Sequence, residues 1–221
     1  MTTETKIKSV KPFLRWAGGK TWFIKHIGKY IPEEFDNYYE PFVGGGSVFF
    51  YLKSKGYIKN KAYLSDSNAE LINTYKTLKN YRKELFLSLK THIDNEDEYY
   101  RMRNTDFKDP VEKAAQFMYL NKTSFNGIYR VNRNGKYNVP YGNYDNPQIV
   151  DKEHLKNVSE LIKDVEFICC DFEKVKNIKE DDFVYMDPPY VPENKGGFVS
   201  YSKIGFVKEK HEALFKLCNV L

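Results

Sequence analysis

The chain has 221 residues, with 35 Lys and Arg against 30 Asp and Glu, for a formal net charge of +5. This length suits one large α/β domain, or one carrying a small insert, and 41% hydrophobic with 29% charged residues excludes a disordered chain. No apolar run approaches the ~20 residues needed to cross a bilayer, residues 1–10 lack the apolar stretch of a secretory signal, and Cys169, Cys170 and Cys218 form no disulfide framework, which points to buried thiols in a reducing, cytoplasmic setting.

Residues 5–30 hold seven basic side chains and no acid. Within them, Phe13-Leu14-Arg15-Trp16-Ala17-Gly18-Gly19-Lys20 is a glycine loop bounded by an aromatic ring and two cations. A cation beside glycines can hold a carboxylate. Gly18-Gly19-Lys20-Thr21 matches only the tail of a phosphate-binding P-loop, and no strand precedes it. A first strand is expected over 38–43, then a second glycine loop and a helix over 47–55 with Gly56 as its C-cap. A strand over 62–65 runs into Asp66. Leu71, Ile72, Tyr75, Leu78, Leu85 and Leu89 then recur at helical spacing, which predicts one helix over 69–89. Helices over 111–120 and 152–162 follow, with strands over 165–170 and 183–186 and a last helical run over 208–221. The alternation predicts a parallel sheet covered by helices on both faces. Ligands in such sheets bind beyond the carboxyl ends of the strands, where the glycines and the carboxylates of Asp66, Asp171 and Asp187 fall.

Residues 81–150 break the alternation and are expected to form an insert, leaving 1–80 and 151–221 as the sheet domain. The insert carries a second acid-free zone, 113–144, with five basic residues. Two such zones suit a polyanion such as nucleic acid, the alternative being an ordinary solvated face.

Two segments carry the chemistry. Glu40-Pro41-Phe42-Val43-Gly44-Gly45-Gly46-Ser47 follows a strand and opens a helix, so its backbone can approach a ligand closely at a helix N-terminus. Asp66 lies about twenty residues on, the spacing at which a carboxylate reaches ribose hydroxyls. The loop alone fits NAD, FAD or S-adenosyl-L-methionine, although it lacks the G-x-G-x-x-G register of a dinucleotide site. The more specific segment is Phe183-Val184-Tyr185-Met186-Asp187-Pro188-Pro189-Tyr190. The prolines have no N–H and a fixed φ, so the strand end presents a carboxylate, a carbonyl and a flat ring. Two acceptors and a stacking face match an exocyclic amine on a nucleobase. Asp187 and the Pro188 carbonyl would accept its two N–H groups and Tyr190 would stack on the base, aiming the nitrogen lone pair at a sulfonium methyl. The four histidines lack ligand spacing, and no metal is expected.

These motifs, in this order, resemble the Dam-type DNA adenine-N6 methyltransferases (class I fold, alpha group, D12 class), and the likeness extends from about Pro12 to Lys210. The resemblance implies S-adenosyl-L-methionine as cofactor, with contacts from Trp16, Lys20, Phe42, the 44–46 loop including Gly44 and Gly46, Asp66, Asp171 and Asp187. It implies double-stranded DNA as partner. Phe125-Asn126-Gly127-Ile128-Tyr129-Arg130 and Asn138-Val139-Pro140-Tyr141-Gly142 look like that group's recognition hairpin, which reads GATC. By that likeness Arg130 and Ile128 read a base pair, Phe125 and Asn126 act near the flipped adenine, Pro140 stiffens the hairpin end, and Arg15 touches an outer pair. Where many of that group carry Arg as a phosphate contact, this chain has Asn143. A bacterial or phage source and a restriction-modification setting are expected. The class I sheet has seven strands and only four are legible here. A truncated or split product, a complementing C-terminal fragment and a weak DNA-binding remnant therefore stay open. So do amino methylation of RNA or protein, and NAD-dependent chemistry.

Overall fold

The computed structural model describes residues 9–20, 23–189 and 208–219. Four strands, β1 (Tyr38–Glu40), β2 (Ala62–Asp66), β3 (Val165–Cys169) and β4 (Phe183–Val184), form a parallel sheet in the order β3-β2-β1-β4. The chain winds outward from β1 through β2 to β3, then returns to the far side of β1. Such a reversal opens a crevice beyond the carboxyl ends of the two strands that flank it, β1 and β4. Here those ends lead into the 44–46 loop from β1 and into Asp187 from β4. The α/β architecture expected from the sequence is the one observed.

All three residues of β1 are buried, as a central parallel strand covered on both faces requires. The two-residue β4 is held to it by more than the ladder. Asp182 Oδ1 accepts the backbone N–H of Asn37 at 3.0 Å and its side-chain amide at 2.8 Å, while Oδ2 accepts the Lys179 N–H at 2.9 Å. The Phe183 and Tyr185 N–H groups then donate to the carbonyls of Asn37 and Tyr39.

The helices α1 (Ile24–Ile27), α2 (Ser47–Ser54), α3 (Ala69–Asn80), α4 (Arg82–Leu89), α5 (Glu96–Asn104), α6 (Pro110–Thr123), α7 (Lys152–Leu161) and α8 (Lys208–Cys218) complete the described structure. Asn68 caps α3, its Oδ1 accepting the Glu70 and Leu71 N–H groups. The single helix expected over 69–89 is broken at Tyr81, which leaves the helical region (φ −131°, ψ 39°). Leu85 and Leu89 keep the apolar phase of α3, so periodicity does not register the break. The bend lets α4 pack on α6 and α7. Helix α6 runs beyond the expected 111–120 at both ends; at its start Asp109 caps it and Pro110 takes the first position. Its buried face, including Ala114, Ala115, Phe117 and Met118, rests on α3, α4 and α5, and these residues share one apolar core with the sheet.

The expectation of buried thiols is corrected: Cys169 and Cys218 are exposed and Cys170 half-buried. Cys169 is the last residue of the edge strand β3: it shares the face of the buried Val165 and Phe167 but is exposed at the strand's end. Among the described residues no helix is long and apolar enough to cross a membrane.

Replacing Asp182 by alanine removes the clasp that starts β4. We expect a loss of about 1–3 kcal/mol, read from the urea midpoint. An unchanged midpoint would mean that the backbone ladder alone holds the strand.

Candidate functional site

The second glycine loop is shaped by three contacts. Gly44 and Gly46 take left-handed φ values of 47° and 68°, which L side chains rarely adopt. Trp16 lies directly over the loop: a Cβ on Gly44 would sit 2.7 Å from its Cδ1 and Nε1, and one on Gly45 2.9 Å from its Cβ. The loop backbone is gripped from beneath, the Gly44 N–H donating to Asp66 Oδ2 at 3.2 Å and the Gly44 carbonyl accepting from the Tyr75 hydroxyl at 3.0 Å. Asp66 Oδ1 also accepts the Asn68 N–H at 2.9 Å. Burial raises the Asp66 carboxyl above its usual range, and the N–H groups of Asn68, Gly44 and Ser67 oppose that.

The first glycine loop is tied to the tetrad. Lys20 Nζ lies 2.6 Å from Asp187 Oδ2 and donates to the Gly18 carbonyl at 2.9 Å. One cation thus spans the crevice at the reversal point. Pro188 and Pro189 are half-buried beside it. Tyr190 lies outside the described residues.

A further wall is built by Phe42, whose ring is 5.3 Å from that of Phe172. Lys210, from α8, pairs with Asp171 Oδ2 at 2.9 Å and with Glu173, and its ammonium lies 5.4 Å from the Phe172 ring. Asp171 also caps the short turn Phe172–Lys174 by accepting the Glu173 N–H.

The recognition candidates gather on the insert side. Asn121 is buried and joins two segments: its Oδ1 accepts the Arg15 N–H at 2.8 Å, and its Nδ2 donates to the carbonyls of Arg15 at 2.7 Å and Gly127 at 3.3 Å. Phe125 (52% exposed) and Asn126 stand outward at a tight turn in which Asn126 adopts φ 56°. The Phe125 N–H donates to the Pro140 carbonyl, and the Gly142 N–H to that of Thr123. Arg130 donates through Nε to Asn138 Oδ1 at 2.8 Å and through Nη2 to the Asn138 carbonyl at 3.2 Å. Val139 is fixed from behind, its carbonyl accepting from the Tyr99 hydroxyl and from Arg103. The Arg15 guanidinium lies 5.1 Å from the Tyr144 ring. The half-buried Lys122 amine is lowered, first by burial and then by Arg15. Asn143 takes a left-handed φ of 47°, a conformation asparagine tolerates better than arginine.

A cleft of about 710 Å³ joins the two sets, with Arg15, Trp16, Gly45, Ser47, Asn126 and Ile128 among its walls. Asp66, Asp171 and Asp187 lie outside it. The N-terminal motif, the cofactor-type loop and the recognition turn therefore meet, while Asp171 faces a separate wall with Lys210.

Sequence reasoning passed over Glu40 as more than a letter in its motif. It is buried at the end of β1 and accepts from the Tyr38 hydroxyl at 2.7 Å. Burial pushes its carboxyl up to about 8; the Asp187 carboxylate adds to this, while the Tyr38 hydroxyl and the Phe49 N–H oppose it. The available signal was a charged residue inside the apolar run Tyr38-Tyr39-Glu40-Pro41-Phe42. Asn121 is a second residue that no sequence motif singled out.

A parallel sheet reversing at β1 and β4, with a glycine cradle under an aromatic ring and an Asp-Pro-Pro segment beside it, defines a class I methyltransferase. The model of the D12 class N6 adenine-specific DNA methyltransferases matches residues 16–221, and the chain belongs to that family. It is 46% identical over 219 residues to the type II methyltransferase M.MjaIII of Methanocaldococcus jannaschii, covering 89% of this chain and 75% of that one. It is 41% identical over 213 residues to M1.LlaDCHI of Lactococcus lactis subsp. cremoris (91% and 73% covered). It is 32% identical over 227 residues to the DNA adenine methylase of Vibrio cholerae (94% and 76% covered). It is accordingly an S-adenosylmethionine-dependent DNA adenine-N6 methyltransferase by family, with relatives in archaea as well as the expected bacteria and phages.

Because the folded protein favours protonated Glu40, its contribution to stability is full below about pH 4.5 and declines as pH rises towards about 8. Glu40→Gln should flatten that part of the stability–pH curve, whose slope from this group is at most ~1.4 kcal/mol per pH unit. Urea melts between pH 5 and 8 measure it, and parallel curves for the two proteins would show Glu40 ionised throughout.

Proposed function

We propose that this chain methylates adenine N6 in duplex DNA at a GATC-like site, with S-adenosyl-L-methionine seated between the two glycine loops. The Lys20–Asp187 ion pair is the observation that carries this reading, because it ties the first glycine loop to the tetrad at the strand reversal. The residues fit the cofactor: the 44–46 loop leads into the N-terminus of α2, where no side chain caps the first backbone N–H groups, and Gly45 and Ser47 line the cleft beside Trp16. Trp16, Phe42, Gly44, Gly46 and Asp66 would line the adenosine and methionine ends, Lys20 the carboxylate, and Asp171 the far wall. When bound, the cofactor supplies a methyl group made electrophilic by its sulfonium.

The protein's own part is orientation. Asp187 and the Pro188 carbonyl accept the two N–H groups of the target amine, which favours a pyramidal nitrogen and places acceptors where positive charge develops. A carboxylate offers about four lone-pair sites, so Asp187 can keep Lys20 and still accept from the amine. By the family resemblance Tyr190, outside the described residues, would stack on the base. A stacked adenine is out of reach, so the base must leave the helix; Phe125 and Asn126, exposed at the turn, fill the gap it leaves. Ile128, Arg130 and Arg15 read neighbouring pairs, and the Asn138 contacts preorganise Arg130. The 81–150 segment acts as the target-recognition insert, held against the sheet domain by α6.

Incubation of the purified chain with tritiated cofactor and a GATC duplex should label the DNA. Asp187→Ala should lower incorporation at least 100-fold, and a single altered base pair should weaken recognition about 10-fold or more. A wild-type chain that labels nothing sinks the proposed activity, whereas labelled RNA or protein would redirect it. Duplex affinity should also fall steeply with salt, log K dropping by about 0.9 per phosphate contact, less steeply for Arg15→Ala. A flat profile would make the two basic zones merely solvated.

A further inference from the structure

Tyr129 stands between two residues placed above at the DNA, Ile128 and Arg130, yet its ring belongs to a different neighbourhood. It stacks on Trp16 at 5.9 Å with planes 18° apart and lies 5.2 Å from Phe117, which itself stacks on Trp16 at 6.4 Å. On the other side it meets Tyr137 at 5.7 Å, and the Tyr137 hydroxyl donates to the Ile128 carbonyl at 2.8 Å. The Tyr129 hydroxyl faces the Asn68 amide, with Asp66 and Glu70 near enough to act on it electrostatically. This is not simply an apolar core. Trp16 is half-exposed and forms a wall of the cleft, and its indole presses on Gly44 and Gly45. An unbroken series of contacts thus runs from the 44–46 loop through Trp16 and Tyr129 into the backbone of residues 128–130.

We propose that Tyr129 is a positioning residue that couples the two binding sites: an occupied glycine loop holds Trp16, Trp16 holds the Tyr129 ring, and Tyr129 sets where Ile128 and Arg130 meet the duplex. The inference rests on the site assignment proposed above. Its physical basis is ordering. A ligand that fixes Trp16 has already met part of the cost of fixing the recognition turn, so the second ligand binds more tightly. Linkage makes the effect reciprocal, with the same factor in both directions. A purely structural tyrosine would change both affinities without changing the factor by which each ligand tightens the other.

The test uses the full chain, a GATC duplex and S-adenosyl-L-homocysteine. Duplex affinity is measured by anisotropy with and without the small ligand, and the small ligand's affinity by calorimetry with and without duplex. For the wild type, each should tighten the other by about 5-fold or more. Tyr129→Leu should bring that factor to below about 2-fold in both directions while each ligand still binds alone, and Tyr129→Phe, which keeps the stack, should retain it. If the leucine variant melts early, Tyr129→Met fills the space without a flat ring and should lose coupling in the same way. A wild-type factor preserved in the leucine or methionine variant, or lost in the phenylalanine one, overturns the proposal, as does a wild type that binds both ligands independently. Failure of the wild type to bind either ligand overturns the site assignment itself.

Discussion

The pairing of β4 with β1 is the constraint on which the rest of the structure depends. Only two residues of β4 pair, yet they set the Asp-Pro-Pro segment next to the glycine loop rather than at the far edge beyond β3. The Asp182 clasp on Asn37 makes so short a strand possible, because it fixes the entry to β4 before the ladder begins. From there the chain runs through Tyr185 to Asp187, and Lys20 can reach it from the first glycine loop. Were β4 beside β3, that pair could not form and the crevice would open elsewhere.

The second organising feature is the use of aromatic rings as fixed walls. Trp16 covers the 44–46 loop, Phe42 and Phe172 form the opposing wall, and Tyr75 supports the loop from below through its hydroxyl. Rings have few rotatable bonds, so the site is shaped at low entropic cost. The insert joins this arrangement by direct contact. Helix α6 shares the core of the sheet domain, Phe117 from its buried face reaches Trp16, and Asn121 near its end ties Arg15 to the recognition turn. The 81–150 segment and the two glycine loops are therefore parts of one packed unit.

Much of this was legible residue by residue. The four strands were found because each is a short apolar run stopped by Gly, Asp or Pro, and the two glycine loops and the tetrad because glycine and proline restrict the backbone in ways composition reveals. Other features left weaker traces. Helix α5 carries a capping Asn95, acids in its first turn and arginines in its last, a good helix signature hidden by its low hydrophobicity. The break at Tyr81 had no trace, since Leu85 and Leu89 continue the period of α3. The exposure of Cys169 had no trace either, since alternation along β3 puts it on the face of the buried Val165 and Phe167.

By itself, then, the sequence determined the fold class, the order of the strands, the family and the residues that could carry chemistry, because each follows from local backbone preference or from motif spacing. Tertiary structure alone decided which of those residues meet. It paired Lys20 with Asp187 across 167 positions of chain, buried Glu40 so that its carboxyl favours the proton, set Asn121 between Arg15 and Gly127, and turned Tyr129 away from its neighbours towards Trp16. Such contacts arise from strand order and helix packing, and a linear pattern does not encode them because the partners are far apart in the chain and individually unremarked.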